Sequence, residues 1–390
     1  MCSSDLDFSH GIAWYYDAVR KIVTKDEWCG TVSVPPTVPS GGTPGPGGGA
    51  PSGGGGVVGT IVNAAVYVGT PTAFTNAWNL VGNGADLYVD GDFECNSQVT
   101  IEGDVIVTGN AYLTNVCLVG GDLWVVGNVR MNSSAQVTGS VNTSGDVSFQ
   151  STSQIGGSVN LHGSFSTIDG KTPQWLMDNN RIGGTINEGV TVNIPIPPTF
   201  PKVSFPVAPL VPVISWSNWQ KLQASQNPST PTWSPVFKGT GCDITPNVAY
   251  SLTGPIEVKT QTIVDARQAT SGCSTVSIGG TAAPIVLYSD LTLWVGSFNA
   301  PNGLKVTSGD GQPHIIRIMS ESSTGVARCS TQGSVSLGTG TNFSNDVKVL
   351  LYTDSKMQIN SSTSFNGQAI AGCFSANGTV KVTYSPVTTY

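Results

Sequence analysis

Between residues 85 and 168, apolar and polar positions recur on a fixed interval. Five glycines, Gly91, Gly109, Gly127, Gly145 and Gly163, each lie 18 residues from the last. Four positions before them stand Leu87, Val105, Leu123, Val141 and Val159, and two before stand Val89, Val107, Val125, Thr143 and Leu161. Two after come Phe93, Ala111, Val129, Val147 and Phe165, and four after come Cys95, Leu113, Met131, Phe149 and Thr167. Ala85, Gly103, Gly121, Gly139 and Gly157 form a column of small residues six positions before the glycines. Alternation within each unit sends every second side chain to one face of a strand. A fixed period across units stacks like positions on like positions, the mark of a repeat architecture. Eighteen residues fit three six-residue sides, so the pattern predicts a parallel β-solenoid whose coils advance by one strand spacing, ~4.8 Å. A second apolar pair per unit supplies another side: Val99/Ile101, Cys117/Val119, Ala135/Val137 and Ser153/Ile155. These columns do not follow a 3.6-residue helical period.

The flanks read differently. In residues 1–33, Phe8, Ile12, Tyr15, Tyr16, Val19, Ile22 and Val23 have helical spacing, and Gly30 could stop the helix. Residues 34–56 are a Pro/Gly-rich linker that cannot pack a core. The solenoid is assigned to 57–168. Residues 169–260 carry the run from Ile194 to Pro201 and further Pro and Trp. They are expected to be extended and packed along the solenoid, with a short helix near Trp216–Gln223, because Pro stays out of central strands. Residues 261–390 are strand-rich but show no fixed period. They suit either irregular further coils or a sandwich. The whole is an all-β chain with a short N-terminal helix and a C-terminal β region.

Composition supports this and narrows the function classes. Only 11% of residues are charged, while Gly (48) and Pro (24) are abundant, as in turn-rich β proteins. The net charge is −7, and the basic residues form no cluster that would hold phosphates, so nucleic acid is not an expected partner. No apolar run is long enough to span a bilayer. The opening Met1-Cys2-Ser3-Ser4-Asp5-Leu6 matches the translation of a common sequencing adaptor. The natural N-terminus, with any signal or membrane anchor, is therefore expected to be missing. Apart from Cys2 there are seven cysteines, Cys29, Cys95, Cys117, Cys242, Cys273, Cys329 and Cys373, none of them in a C-x-x-C pair. With only three histidines in the chain, disulfides in an oxidising compartment fit better than zinc. The expected pairs are Cys95–Cys117, Cys242–Cys273 and Cys329–Cys373, which leaves Cys29 odd; buried free thiols are the alternative.

The Gly-anchored coils, such as Gly121-Asp-Leu-Trp-Val-Val-Gly-Asn-Val129, resemble bactofilin-type polymer-forming β-helices. The tail, Val347–Tyr352, Met357–Ile359, Ser364–Ala371 and Val380–Tyr384, resembles bacterial surface proteins associated with type IV pili. That resemblance implies a pilus-linked or envelope-anchored β-helix with an N-terminal membrane helix, which this sequence lacks. Bactofilins themselves are short and cytosolic, and the cysteines and long inserts here depart from them.

Three columns carry candidate chemistry. Asp86, Asp104 and Asp122 stack five positions before the glycines and continue as Ser140 and Ser158. They would either share calcium in a ladder or accept backbone N–H bonds as solvated turn residues. Asp92, Asn110, Asn128, Asp146 and Ser164 read as a polar ladder at a bend. Tyr88, Ile106 and Trp124, at an outward position, form an apolar stripe that marks a contact. That contact is expected within the chain, with a partner or surface glycan as the alternative. Catalytic constellations are weak: His10, His162 and His314 stand in unrelated contexts, and Asp265 with Arg267 reads as a surface ion pair. The expected function is a non-enzymatic, extracytoplasmic structural or adhesive surface protein associated with pilus or envelope components. A polysaccharide-active β-helix enzyme and an end-to-end polymerising scaffold are the alternatives. No cofactor or metal is expected beyond the calcium candidates, and a membrane is expected only through the lost N-terminal segment.

Overall fold

The computed structural model describes residues 63–195, 200–201, 203, 213–215, 218, 236–238, 243–245, 255–267, 275–278, 284–322 and 328–387. The helix expected at 7–28, the linker, Cys29, the Cys242–Cys273 pair and nearly all of 216–223 lie outside them.

The described residues form a parallel β-solenoid with three faces. Val105, Leu123 and Val141 are direct neighbours in register, and the ladder runs on through Leu87 and Val159. These strands, with Val66–Val68, make the first face. The second face stacks Thr72–Phe74, Phe93–Cys95, Ala111–Leu113, Val129–Met131, Val147–Phe149 and Phe165–Thr167. The third stacks Trp78–Val81, Val99–Ile101, Cys117–Val119, Gln136–Val137 and Gln154–Ile155. Inward Val, Leu, Ile and Phe side chains are fully buried, from Leu87 and Phe93 to Phe149 and Val159. Each contributes about 1.5–3 kcal/mol through burial.

The regular body extends past residue 168, where the repeat was expected to end. Helix Pro173–Asp178 follows: Thr172 caps it by accepting from the Trp175 N–H at 3.2 Å, and Pro173 opens the first turn. Leu176 is buried in the core, with Trp175 and Met177 packed against it. Ile182 then bridges to Ile155, and Ile186–Asn187 pairs with Val159–Asn160. The helix thus closes the core beyond the last full coil.

The aperiodic C-terminal region forms further coils of the same solenoid. On the first face, Thr262–Asp265, Leu291–Val295, His314–Ser320, Val347–Thr353 and Asn366–Ala371 stack in parallel. Ala369–Ala371 then pairs with Val66–Val68. On the third face, Val380–Thr383 pairs with Trp78–Val81. The coils formed by residues 256–384 therefore precede the coils formed by residues 66–187 along the axis. The spatial order of the two halves is the reverse of their order in the chain, and one core runs through both. Strand Val213–Ser215, from the Pro-rich segment, extends the first face beyond Ile263–Asp265.

The seam is held by specific polar contacts. Gln368 is fully buried. Its Nε2 donates to the Ala64 carbonyl at 2.8 Å, and its Oε1 accepts from the Val387 N–H at 2.9 Å. Arg328 spans the seam too: Nη1 donates to the Gly69 carbonyl and to Asp90 Oδ2, the latter at 2.9 Å.

Candidate functional site

The acidic column is built into the corners. The backbone N–H of Asp104 donates to Asp86 Oδ1 at 2.8 Å, that of Asp122 to Asp104 Oδ1 at 2.7 Å, and that of Ser140 to Asp122 Oδ1 at 2.7 Å. Ser140 and Ser158 continue the role with their hydroxyls, to Ser158 and Thr185. The second polar column repeats the device: Asp92, Asn110, Asn128 and Asp146 each accept from the N–H one coil on, at 2.7–2.8 Å. This explains the small-residue columns. A Cβ on Gly121 would lie 2.1 Å from Asp104 Oδ1, and one on Gly109 would lie 2.4 Å from Asp92 Oδ1. Only glycine leaves room for the oxygen that caps the corner.

The carboxylates are close enough to feel one another. Burial pushes Asp104 up to about 6, with Asp86 and Asp122 adding repulsion against the backbone hydrogen bond from Asp122. Burial also raises Asp86. Among the described residues no group of three or more His, Cys, Asp or Glu is arranged to hold a metal ion.

Tyr88, Ile106 and Trp124 belong to a much longer stripe. In register along the first face it runs Trp294, Met319, Tyr352, Ile370, Tyr67, Tyr88, Ile106, Trp124. All but Trp124 are buried. Phe200, Val203, Val387 and Ala64 pack on it, the first two from the Pro-rich segment. The Tyr352 hydroxyl donates to the Pro201 carbonyl at 3.0 Å, and Phe200 stands edge-on to Tyr67 with centroids 5.5 Å apart. Burial pushes Tyr67 and Tyr88 up to about 12, and Asp90 and Asp86 respectively add to the rise. At one end of the stripe Arg267 lies over the Trp294 ring, 4.8 Å from its centroid, and pairs with Asp265 at 3.0 Å and Glu321 at 3.8 Å. At the other end the column turns to amides, with Asn160 donating to Asn142 Oδ1 at 2.9 Å and Asn187 to Asn160 Oδ1 at 2.8 Å. Sequence patterning found three members of this stripe; the remaining apolar positions sit in coils without a period.

Two disulfides are formed. Cys95–Cys117, with Cα atoms 5.9 Å apart, joins the second face of one coil to the third face of the next inside the core. Cys329–Cys373, at 5.1 Å, ties the turn after Arg328 to the strand that ends at the seam. Both point to an oxidising, extracytoplasmic environment. His314 Nε2 lies 2.8 Å from Asp310 Oδ1 within one turn. No helix among the described residues is long and apolar enough to cross a membrane.

An open groove of about 560 Å³ lies on the third face between Asn342–Phe343 and Thr363–Phe365. There the ladder is interrupted: Asn342–Phe343 pairs with Lys305–Val306, while Thr363–Gly367 pairs with Val380–Tyr384. The rim carries Lys305, Asn342, Asn345, Ser362, Ser364 and Asn366. No sequence pattern marks this groove, because it arises from a missing pairing between two aperiodic coils.

Comparison with protein-family profiles, with curated proteins and with solved structures finds no match in any of the three.

Proposed function

We propose that the chain is an extracytoplasmic surface protein with a structural or adhesive role, its solenoid serving as a rigid body that displays a binding face. One observation carries this reading. A single continuous core, stapled by Cys95–Cys117 and Cys329–Cys373, runs through both halves of the chain. Such a body resists bending, because each coil is hydrogen-bonded to the next and the interior is close-packed. Association with pili or envelope components rests on the resemblance of the tail, Val347–Tyr384, whose strands form the coils at the seam. End-to-end polymerisation is the weaker reading, because an open coil edge is what invites strand addition. Here Pro173–Asp178 covers the core beyond the last full coil. Polysaccharide cleavage usually needs two carboxyl groups flanking the scissile bond, and the groove rim offers amides, hydroxyls and one ammonium.

The test is immunogold electron microscopy of intact source cells with antibody raised against the solenoid. Label on the outer surface and along pili is expected. Label on the surface but never on pili would remove the pilus association alone. Label seen only after permeabilisation would overturn the reading.

A further inference from the structure

The geometry points to the third-face groove as a saccharide-binding site, an inference that deepens the adhesive reading above and rests on it. The groove's size falls in the range of small-ligand sites, roughly 300–1,000 Å³. An adjoining open space of about 440 Å³ shares Lys305, Asn342, Phe343 and Asn345 and lengthens the groove to Pro284 and Thr307.

The rim chemistry suits a polyhydroxylated ligand. Each asparagine amide offers both donors and an acceptor, and each serine hydroxyl does both. A sugar hydroxyl likewise donates and accepts, so every rim group can be satisfied in the bound state. Asn342, Asn345, Ser362 and Ser364 are exposed and carry no charge, so desolvating them costs far less than desolvating carboxylates. The Phe343 and Phe365 rings, 6.1 Å apart and steeply tilted, form an apolar floor. Lys305 is the lone charge on the rim, which admits a sugar acid as readily as a neutral sugar.

The walls are held in place before any ligand arrives. Asn366 Nδ2 donates across the groove to the Asn345 carbonyl at 2.9 Å. Thr341 and Ser361 both donate to the Gly338 carbonyl, at 2.9 and 3.1 Å. Preorganised groups lose little freedom on binding. A peptide adding as a strand fits less well. Strand addition draws its affinity from a run of main-chain hydrogen bonds, and the strand on one wall is only two residues long.

The experiment uses the full chain, oxidised, on an array of bacterial and host oligosaccharides, followed by calorimetry with the best binder. The variants are Asn342→Ala, which removes an amide, and Ser364→Tyr, which fills the groove; both positions are exposed. Retention of at least one saccharide is expected, with affinity falling tenfold or more in each variant while the melting temperature holds. Lys305→Met separates the two sugar classes: it weakens a sugar acid and leaves a neutral sugar unchanged, and either result supports the site. A blank array, binding unaffected by both variants, or selection of peptides only would overturn the site. Surface labelling of cells would stand in those cases, so failure of the site is distinct from failure of the adhesive reading.

Discussion

Residues 66–187 and residues 256–384 build the same three faces by different means. In the first half every coil repeats at 18 residues, and its corners are capped by stacked Asp, Asn and Ser over glycine. In the second half, first-face neighbours lie 29, 25, 33 and 18 residues apart, at Ile263/Thr292, Thr292/Arg317, Arg317/Leu350 and Leu350/Gln368. The strands stay in register while the corners loop out by different lengths. A solenoid core needs only its strands to match, because the inward side chains and the ladder bonds do the stacking. Periodicity is a requirement of the corners: a side-chain oxygen can cap the next coil only if that coil turns in the same place. The first half is therefore expected to be brittle at its corners, and the second half tolerant at its corners and sensitive at its joints.

The most damaging test of that contrast is a pair of glycine substitutions. Gly121→Ala puts a methyl group onto Asp104 Oδ1 and near the Gly103 carbonyl. Overpacking and the loss of the Asp122 N–H bond should together cost about 4 kcal/mol. Gly311 sits in a second-half turn at φ 71° with no atom within 4 Å of an added Cβ. Gly311→Ala should cost about 1 kcal/mol, the penalty of a left-handed backbone alone. Urea denaturation of both variants measures the difference, and equal losses would remove the distinction between the halves.

Removing Cys95–Cys117 through the double change to Ala should lower stability by about 3 kcal/mol, as expected for a loop of this size. The sulfurs lie in the core between successive coils, so the transition should stay cooperative while its midpoint falls. Loss of cooperativity would mean that the two halves unfold as separate bodies.

The joint is probed by Gln368→Ala, which leaves the Ala64 carbonyl and the Val387 N–H without their partner. A cost of about 2 kcal/mol is expected from these orphaned groups. The same joint should survive a cut. Neither observed disulfide crosses from one half to the other, so a protease site placed between residues 225 and 226 and cleaved in the folded protein leaves only the seam to hold the halves. They should co-elute in native buffer and separate in urea, and Gln368→Ala should let them part at lower urea. Separation on cleavage alone would show that the seam is not a stable interface.

The same contrast decides how much of the molecule was legible beforehand. The solenoid was readable because Gly91 to Gly163 and their apolar columns repeat, and stacking is the only arrangement that satisfies every column. Cys95–Cys117 was readable because both cysteines occupy inward columns. The second half gave strands without an order, since insertions between Ile263, Thr292, Arg317 and Leu350 erase any period while leaving the pairing intact. The reversed order of the halves leaves no local trace; it depends on which edge Ala369–Ala371 meets, a contact about 300 residues away in the chain. The stripe was seen only where the repeat exposed it, at Tyr88, Ile106 and Trp124. The groove was invisible because no sequence rule flags a pairing that fails to form.

The smallest effect expected is a gain. Asp104 titrates at about 6 in the fold, chiefly through burial, against an ordinary value near 3.8. The folded state therefore binds the proton more tightly than the unfolded chain. Stability from this group is present below about pH 4 and is lost as pH rises through about 6. The neighbouring column already shows the remedy: Asn110 and Asn128 cap their corners with an amide oxygen and no charge. Asp104→Asn keeps the acceptor for the Asp122 N–H and removes repulsion with Asp86 and Asp122. After allowance for solvent screening it should add about 1 kcal/mol at pH 7.5 and almost nothing at pH 4. Thermal melts across that range, with and without calcium, provide the check. A wild-type melting temperature that rises with calcium, and a variant that loses both the rise and stability at neutral pH, would make the column a cation site instead of a set of corner caps.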